Sequence, residues 1–216
     1  QRAGNDTAGA DERRSLRVPV AVITGTNGKT TTTRLVARIA RHAGVCSGAT
    51  STDGLVIDGD VVDRGDWTGP GGARTVLRDR RVEVALLETA RGGLLRRGLA
   101  TVGVDVALVT NVSDDHLGEW GIGSVAEMAE AKLLVAAAVR PGGRLVVFDD
   151  REALGGGLEP QRRTDGVLTA VLARVACAGE ILRYRADGCS DVDLAAVDGG
   201  GGGDGDGTGG RVAVVG

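Results

Sequence analysis

The feature that most constrains this chain is residues 18–44, VPVAVITGTNGKTTTTRLVARIARHAG. Residues 18–24 are apolar and β-branched, the composition of a buried strand. Residues 31–43 carry Leu35, Val36, Ile39 and Ala40 at helical spacing, and Gly44 supplies a stop. Between them, Gly25 to Thr30 must reverse the chain from strand to helix. In that context glycines let backbone N–H groups turn toward a phosphate, and the helix N-terminus adds positive partial charge. Lys29 supplies a compact cation, and the Thr30 hydroxyl can bind Mg²⁺. Ile23 stands where the longer GxxxxGK[ST] loop would have its first glycine, which tells against ordinary kinases and GTPases. The competing reading is a tight turn with an incidental lysine.

Further apolar runs give the expected architecture. Strands are expected at 82–87, 104–109, 144–148 and, more weakly, 181–184, with a hairpin turn at Asp58-Gly59 inside 55–62 and a glycine-rich loop over 65–72. Ser124 and Glu127 have capping-box spacing, so a helix is expected over 125–139, and a second over 167–176. Alternating strands and helices imply an α/β fold, a mainly parallel sheet flanked by helices. Residues 1–16 are polar and read as a linker or tail, leaving one domain over 17–216. Nine of the twelve residues from Gly199 to Gly210 are Gly, which suits a flexible loop before a last strand at 211–215.

Composition excludes several classes. The net charge is −3 with no basic stripe, and the aromatics are only Trp67, Trp120, Phe148 and Tyr184, so nucleic-acid binding has no support. No long apolar run suggests a membrane span, and the polar N-terminus is unlike a signal peptide, so a cytoplasmic protein is expected. Cys46, Cys177 and Cys189 lack CxxC spacing and read as reduced packing residues. The missing initiator Met and the end at Gly216 suggest a piece of a longer protein.

Four residues stand out for chemistry. Glu88 follows VEVALL directly, at the carboxyl end of a strand, where a hard oxygen donor can hold Mg²⁺; taken alone, it reads rather as a solvated strand-end acid. His116 sits in NVSDDHL just past the strand ending at Val109, whereas His42 reads as a residue at a helix C-terminus. Of 26 basic residues only Lys29 and Lys132 are lysine. Lys132 reads either as a snorkelling surface residue or as an amine doing what guanidinium cannot.

The segments GTNGKTTTTRLVARI, TSTDG, GDWTGP, LETARGGLLRRGL, VALVTNVSDDHLG and EMAEAKLLV, in order over roughly 18–147, resemble the ATP-binding central domain of the Mur ligase superfamily. They most resemble the Mur-ligase-like part of cyanophycin synthetases. The resemblance implies an ATP-dependent ligase that joins a carboxylate to an amine through an acyl phosphate. ATP would be held by Gly25, Thr26, Asn27, Gly28, Lys29, Thr30, Thr31 and Asn111, and Mg²⁺ by Thr30, Glu88, His116 and a carbamylated Lys132. Lys29, His116 and Lys132 would be catalytic. Thr52, Asp53, Thr89 and Arg91 would lie on the acceptor side, the acceptor being an acidic peptide or poly-aspartate and the amine that of an amino acid, arginine by analogy. A peptidoglycan-precursor or folylpolyglutamate-type ligase, and a truncated nucleotide-binding module without ligase activity, are the alternatives. Homo-oligomerisation stays open. Phe148-Asp149-Asp150 departs from the superfamily's Asn-Ala-Asp-Asp-Pro, residues 150–210 carry no motif recognisable from the sequence, and the C-terminal amino-acid-binding domain is expected to be absent from this stretch.

Overall fold

A computed structural model describes residues 17–101, 103–114, 118, 121–148 and 166–184. The expected tail at 1–16, His116, the glycine-rich stretch at 199–210 and the last strand lie outside these.

Among the described residues eight strands form one sheet in the order β4-β3-β2-β5-β1-β6-β7-β8. They are β1 (Val20–Thr24), β2 (Ser47–Thr50), β3 (Gly54–Ile57), β4 (Asp60–Arg64), β5 (Val84–Glu88), β6 (Val104–Val109), β7 (Val139–Phe148) and β8 (Glu180–Tyr184). β2, β5, β1, β6, β7 and β8 run parallel. β3 and β4 extend one edge as an antiparallel hairpin. Its turn carries Asp58 at φ 50° and Gly59 at φ 86°, the two positive φ values a type I′ turn requires.

The helices are α1 (Lys29–His42), α2 (Pro70–Arg78), α3 (Arg91–Arg97), α4 (Val125–Leu133) and α5 (Val167–Leu172). The loop expected over 65–72 is shorter than anticipated, because Pro70 sits at the first position of α2, where its missing N–H costs nothing. The helix expected over 125–139 is α-helical only to Leu133 and then tightens into a 3₁₀ turn, Leu134–Ala138, that delivers the chain to β7. Its capping box forms as expected between Ser124 and Glu127.

The sheet's two faces are unequally covered among the described residues. Val20, Val22, Leu87, Val109, Met128, Leu133, Leu145 and Leu168 belong to one large core beneath α2, α4 and α5. On the other face only Ile23, Ala49 and Leu86 form a buried cluster, with Ala37 of α1 packed against it. The apolar spacing read in α1 is present, yet Leu35 is 57%, Val36 36% and Ile39 38% exposed. The helix rests on small residues instead, with Thr33 its one buried side chain. No described helix is long and apolar enough to cross a membrane.

Candidate active site

The chain leaves β1 to α1 and β2 on one side and crosses from β5 to β6 on the other, so the carboxyl ends of β5, β1 and β6 flank a topological switch point. Register fixes what meets there: Ile23 pairs with Glu88, and Thr24 with Val109.

The loop after β1 is held from β6. The Thr26 N–H donates to the Asn111 carbonyl at 2.9 Å, and the Asn27 N–H to Asn111 Oδ1 at 2.9 Å. Asn111 Nδ2 returns a bond to the Asn27 carbonyl at 3.2 Å. The Ser113 N–H donates to Thr26 Oγ1 at 3.1 Å. The buried Thr110 hydroxyl donates to the Asn27 carbonyl at 2.6 Å, and a Cβ at Gly25 would collide with that same oxygen. Gly25 is therefore required by contact, and Gly28, at φ 83° as the N-cap of α1, by backbone conformation. Behind them the Tyr184 hydroxyl donates to the Thr110 carbonyl at 2.6 Å, its ionisation pushed up to about 12 by burial.

Lys29 opens α1, and its Nζ donates to the Thr26 carbonyl at 2.8 Å, along the loop. Thr30 Oγ1 donates to Glu88 Oε2 at 2.8 Å and lies 3.2 Å from Thr52 Oγ1. Glu88 is only 1% exposed, and its Oε1 is buried with no hydrogen-bond partner. Burial pushes the Glu88 carboxyl above the usual range, and the Asp66 charge adds to the rise. The Thr30 hydroxyl, the Lys29 charge and the Thr52 backbone oppose it. The solvated reading of Glu88 is thus excluded.

A buried carboxylate oxygen lacking a donor costs free energy unless something compensates it. Glu88, Thr30 and Thr52 present hard oxygens of the kind a small divalent cation takes, so these residues fit one. The described residues contain no group of three His, Cys, Asp or Glu side chains around a metal position.

Lys132 is 4% exposed on α4, which rules out snorkelling into solvent. It shares a face with Met128 one turn earlier, and Met128 Sδ accepts from Arg91 Nη1 at 3.4 Å. Thr89 is buried beside Glu88, with its N–H on the Ile23 carbonyl at 2.8 Å. Asp53 instead turns to α1, pairing with Arg34 at 2.6 Å. His42 ends α1 as expected.

Three contributors escaped the sequence reading. Thr110 and Tyr184 brace the loop, and neither carried a local signal. Asp66 had one, in GDWTGP: its Oδ1 accepts from the Thr68 N–H at 3.0 Å and from the Thr68 hydroxyl at 2.7 Å.

Residues 23–169 match the Mur ligase middle domain. The chain belongs to that family. Cyanophycin synthetase from Synechocystis sp. is 52% identical over 134 residues, covering 62% of this chain. The chain spans about 15% of the length of such relatives. The UDP-N-acetylmuramoyl-L-alanyl-D-glutamate–2,6-diaminopimelate ligase of Xanthomonas oryzae is 30% identical over 77% of this chain and 34% of that enzyme. A solved ligase of the same name aligns with a TM-score of 0.58 at 23% identity, over 79% of this chain and 32% of that one. A bifunctional folylpolyglutamate synthase/dihydrofolate synthase, solved with Mn, AMPPNP and L-glutamate bound, aligns at 0.52 and 23% identity, over 77% of this chain and 43% of that one. The Mur ligase fold is therefore the fold of this chain.

Proposed function

We propose that this Mur ligase middle domain is the ATP-binding core of an ATP-dependent carboxylate–amine ligase of the cyanophycin-synthetase kind. The observation that carries it is the Thr30–Glu88 pair at the mouth of the phosphate loop, with Glu88 Oε1 buried and unpartnered. Thr30 and Glu88 would hold Mg²⁺, and His116 and a carbamylated Lys132 would complete the ligand set. When bound, the metal supplies positive charge against the nucleotide phosphates. Lys29 and the N–H groups that open α1, from Gly28 to Thr31, bind and orient the β- and γ-phosphates in line with the acceptor. Asn111 acts through the loop, its side chain being bonded to Asn27.

The reaction has two steps. A carboxylate oxygen of the acceptor forms a bond to the γ-phosphorus as the bond to ADP breaks, giving an acyl phosphate. The amine nitrogen then bonds to the acyl carbon, phosphate leaves with the C–O electron pair, and the nitrogen loses its proton to solvent. Thr89 and Arg91 would face the acceptor, an acidic peptide or poly-aspartate, and the amine would be that of an amino acid, arginine by analogy. Arg91's planar fork suits a carboxylate.

Isothermal titration with a non-hydrolysable ATP analogue and Mg²⁺ tests the site. Binding is expected in the wild-type chain and at least tenfold weaker in Lys29→Ala. An unchanged affinity would overturn the phosphate-loop assignment.

A further inference from the structure

Away from the phosphate loop, the flank of α1 and the β3–β4 hairpin enclose a groove of about 470 Å³. Arg34, Arg38, Arg41 and Arg64 line it, over a floor that includes Ala37, Ala49 and Val56. Arg34, Arg38 and Arg41 stand at i, i+4 and i+7, so they form one stripe about 10 Å long along the helix. Arg41 lies over the hairpin turn, where a Cβ at Gly59 would strike its guanidinium. Arg34 already holds a carboxylate, that of Asp53 at 2.6 Å. Among the described residues the guanidinium groups of Arg38, Arg41 and Arg64 have no ion-pair partner.

We infer that this groove is a docking site for an acidic peptide. Like charges gathered around one concavity repel unless an anion joins them, and planar guanidinium groups are built for carboxylates. The apolar floor suits the methylene groups and backbone of a peptide. An extended chain advances about 3.3 Å per residue and turns alternate side chains to one side, so three or four residues span the arginine stripe. The groove's upper end is Asp53, next to Thr52, whose hydroxyl is 3.2 Å from that of Thr30. A peptide lying in it would run from the helix's far end toward the phosphate loop. On the ligase reading, on which this last point alone rests, the groove anchors the acceptor chain while its end reacts.

Fluorescence anisotropy with a labelled ten-residue aspartate peptide and the full chain tests the inference, beside titration of the Mg²⁺-bound ATP analogue. Arg38→Ala combined with Arg41→Ala should weaken peptide binding at least tenfold and leave nucleotide affinity unchanged. Both residues are exposed, so folding should be intact, which circular dichroism would check. Unchanged peptide affinity in the double variant would overturn the docking site. So would absence of binding by wild type, or displacement of the peptide by inorganic phosphate at equal charge. Loss of peptide binding on Arg38/Arg41 substitution in a chain that binds no nucleotide would leave the groove standing and remove the ligase reading.

Discussion

The two faces of the sheet are built to different standards. Beneath α2, α4 and α5 the core is deep, and side chains such as Leu145 and Leu168 are almost wholly buried. Beneath α1 the cluster is small, three buried side chains with Ala21, Ala37, Val84 and Leu108 packed against them. Yet α1 carries Lys29 and Thr30 at its start and the arginine stripe along its hairpin-side flank. The deep core lies on one face together with buried Lys132, while the other face carries the helix that presents Lys29 and Thr30.

The largest effect should come from breaking the thick side. Leu145→Ala should destabilise the chain by about 2–5 kcal/mol, the usual range for a buried leucine, as denaturant unfolding would measure. Next is Lys132→Arg. Overpacking a buried position should cost about 1–3 kcal/mol, and a carbamate could no longer form. Stability alone does not separate these causes. Bicarbonate should restore a CO₂-depleted wild-type enzyme and not the variant; restoration of both, or of neither, would remove the carbamate from the proposal.

Glu88→Gln has two opposite expected signs. Its folded-state pKa is raised, so the ionised carboxylate favours unfolding, and stability present at low pH is lost as pH rises through that raised value. Without metal, the Gln variant should be at least as stable as wild type at neutral pH, by thermal melting. With Mg²⁺ and the ATP analogue it should bind more weakly. Wild-type binding should fall on acidification at a pH above that of an ordinary glutamate, about 4.3, and this fall should be absent in the variant. The smallest effect belongs to the thin side. Leu35→Ala, at a 57% exposed position, should change stability by no more than about 0.5 kcal/mol. A loss of about 2 kcal/mol would mean that α1 is packed as firmly as the other face.

The same asymmetry explains what was legible in the sequence. β1, β6 and the loop between β1 and α1 follow from short-range patterns, because a buried parallel strand is apolar throughout and a phosphate loop needs particular residues in series. Glu88 was readable as a strand-end acid, but its burial was not, since that depends on β1 and β2 lying beside β5. Leu35, Val36 and Ile39 misled because helical spacing records a stripe and not whether anything covers it. α2 was hidden by its own opening, Pro-Gly-Gly, which reads as a loop until Gly72 is seen against the Trp67 carbonyl, where no Cβ would fit. Thr110 and Tyr184 act across a sequence separation of 74, beyond any local pattern.

That last bond bears on how the chain can be cut. The family match ends at residue 169, and a minimal nucleotide-binding fragment drawn to that boundary would omit β8. It would also discard the Tyr184 hydroxyl, leaving the Thr110 carbonyl without its donor and exposing the edge of β7, while every residue of the phosphate loop itself was retained. Such a fragment would carry an intact motif on a loosened support, and its weak binding would be misread as a weak site. A fragment that keeps this brace on the phosphate loop therefore has to extend to Tyr184.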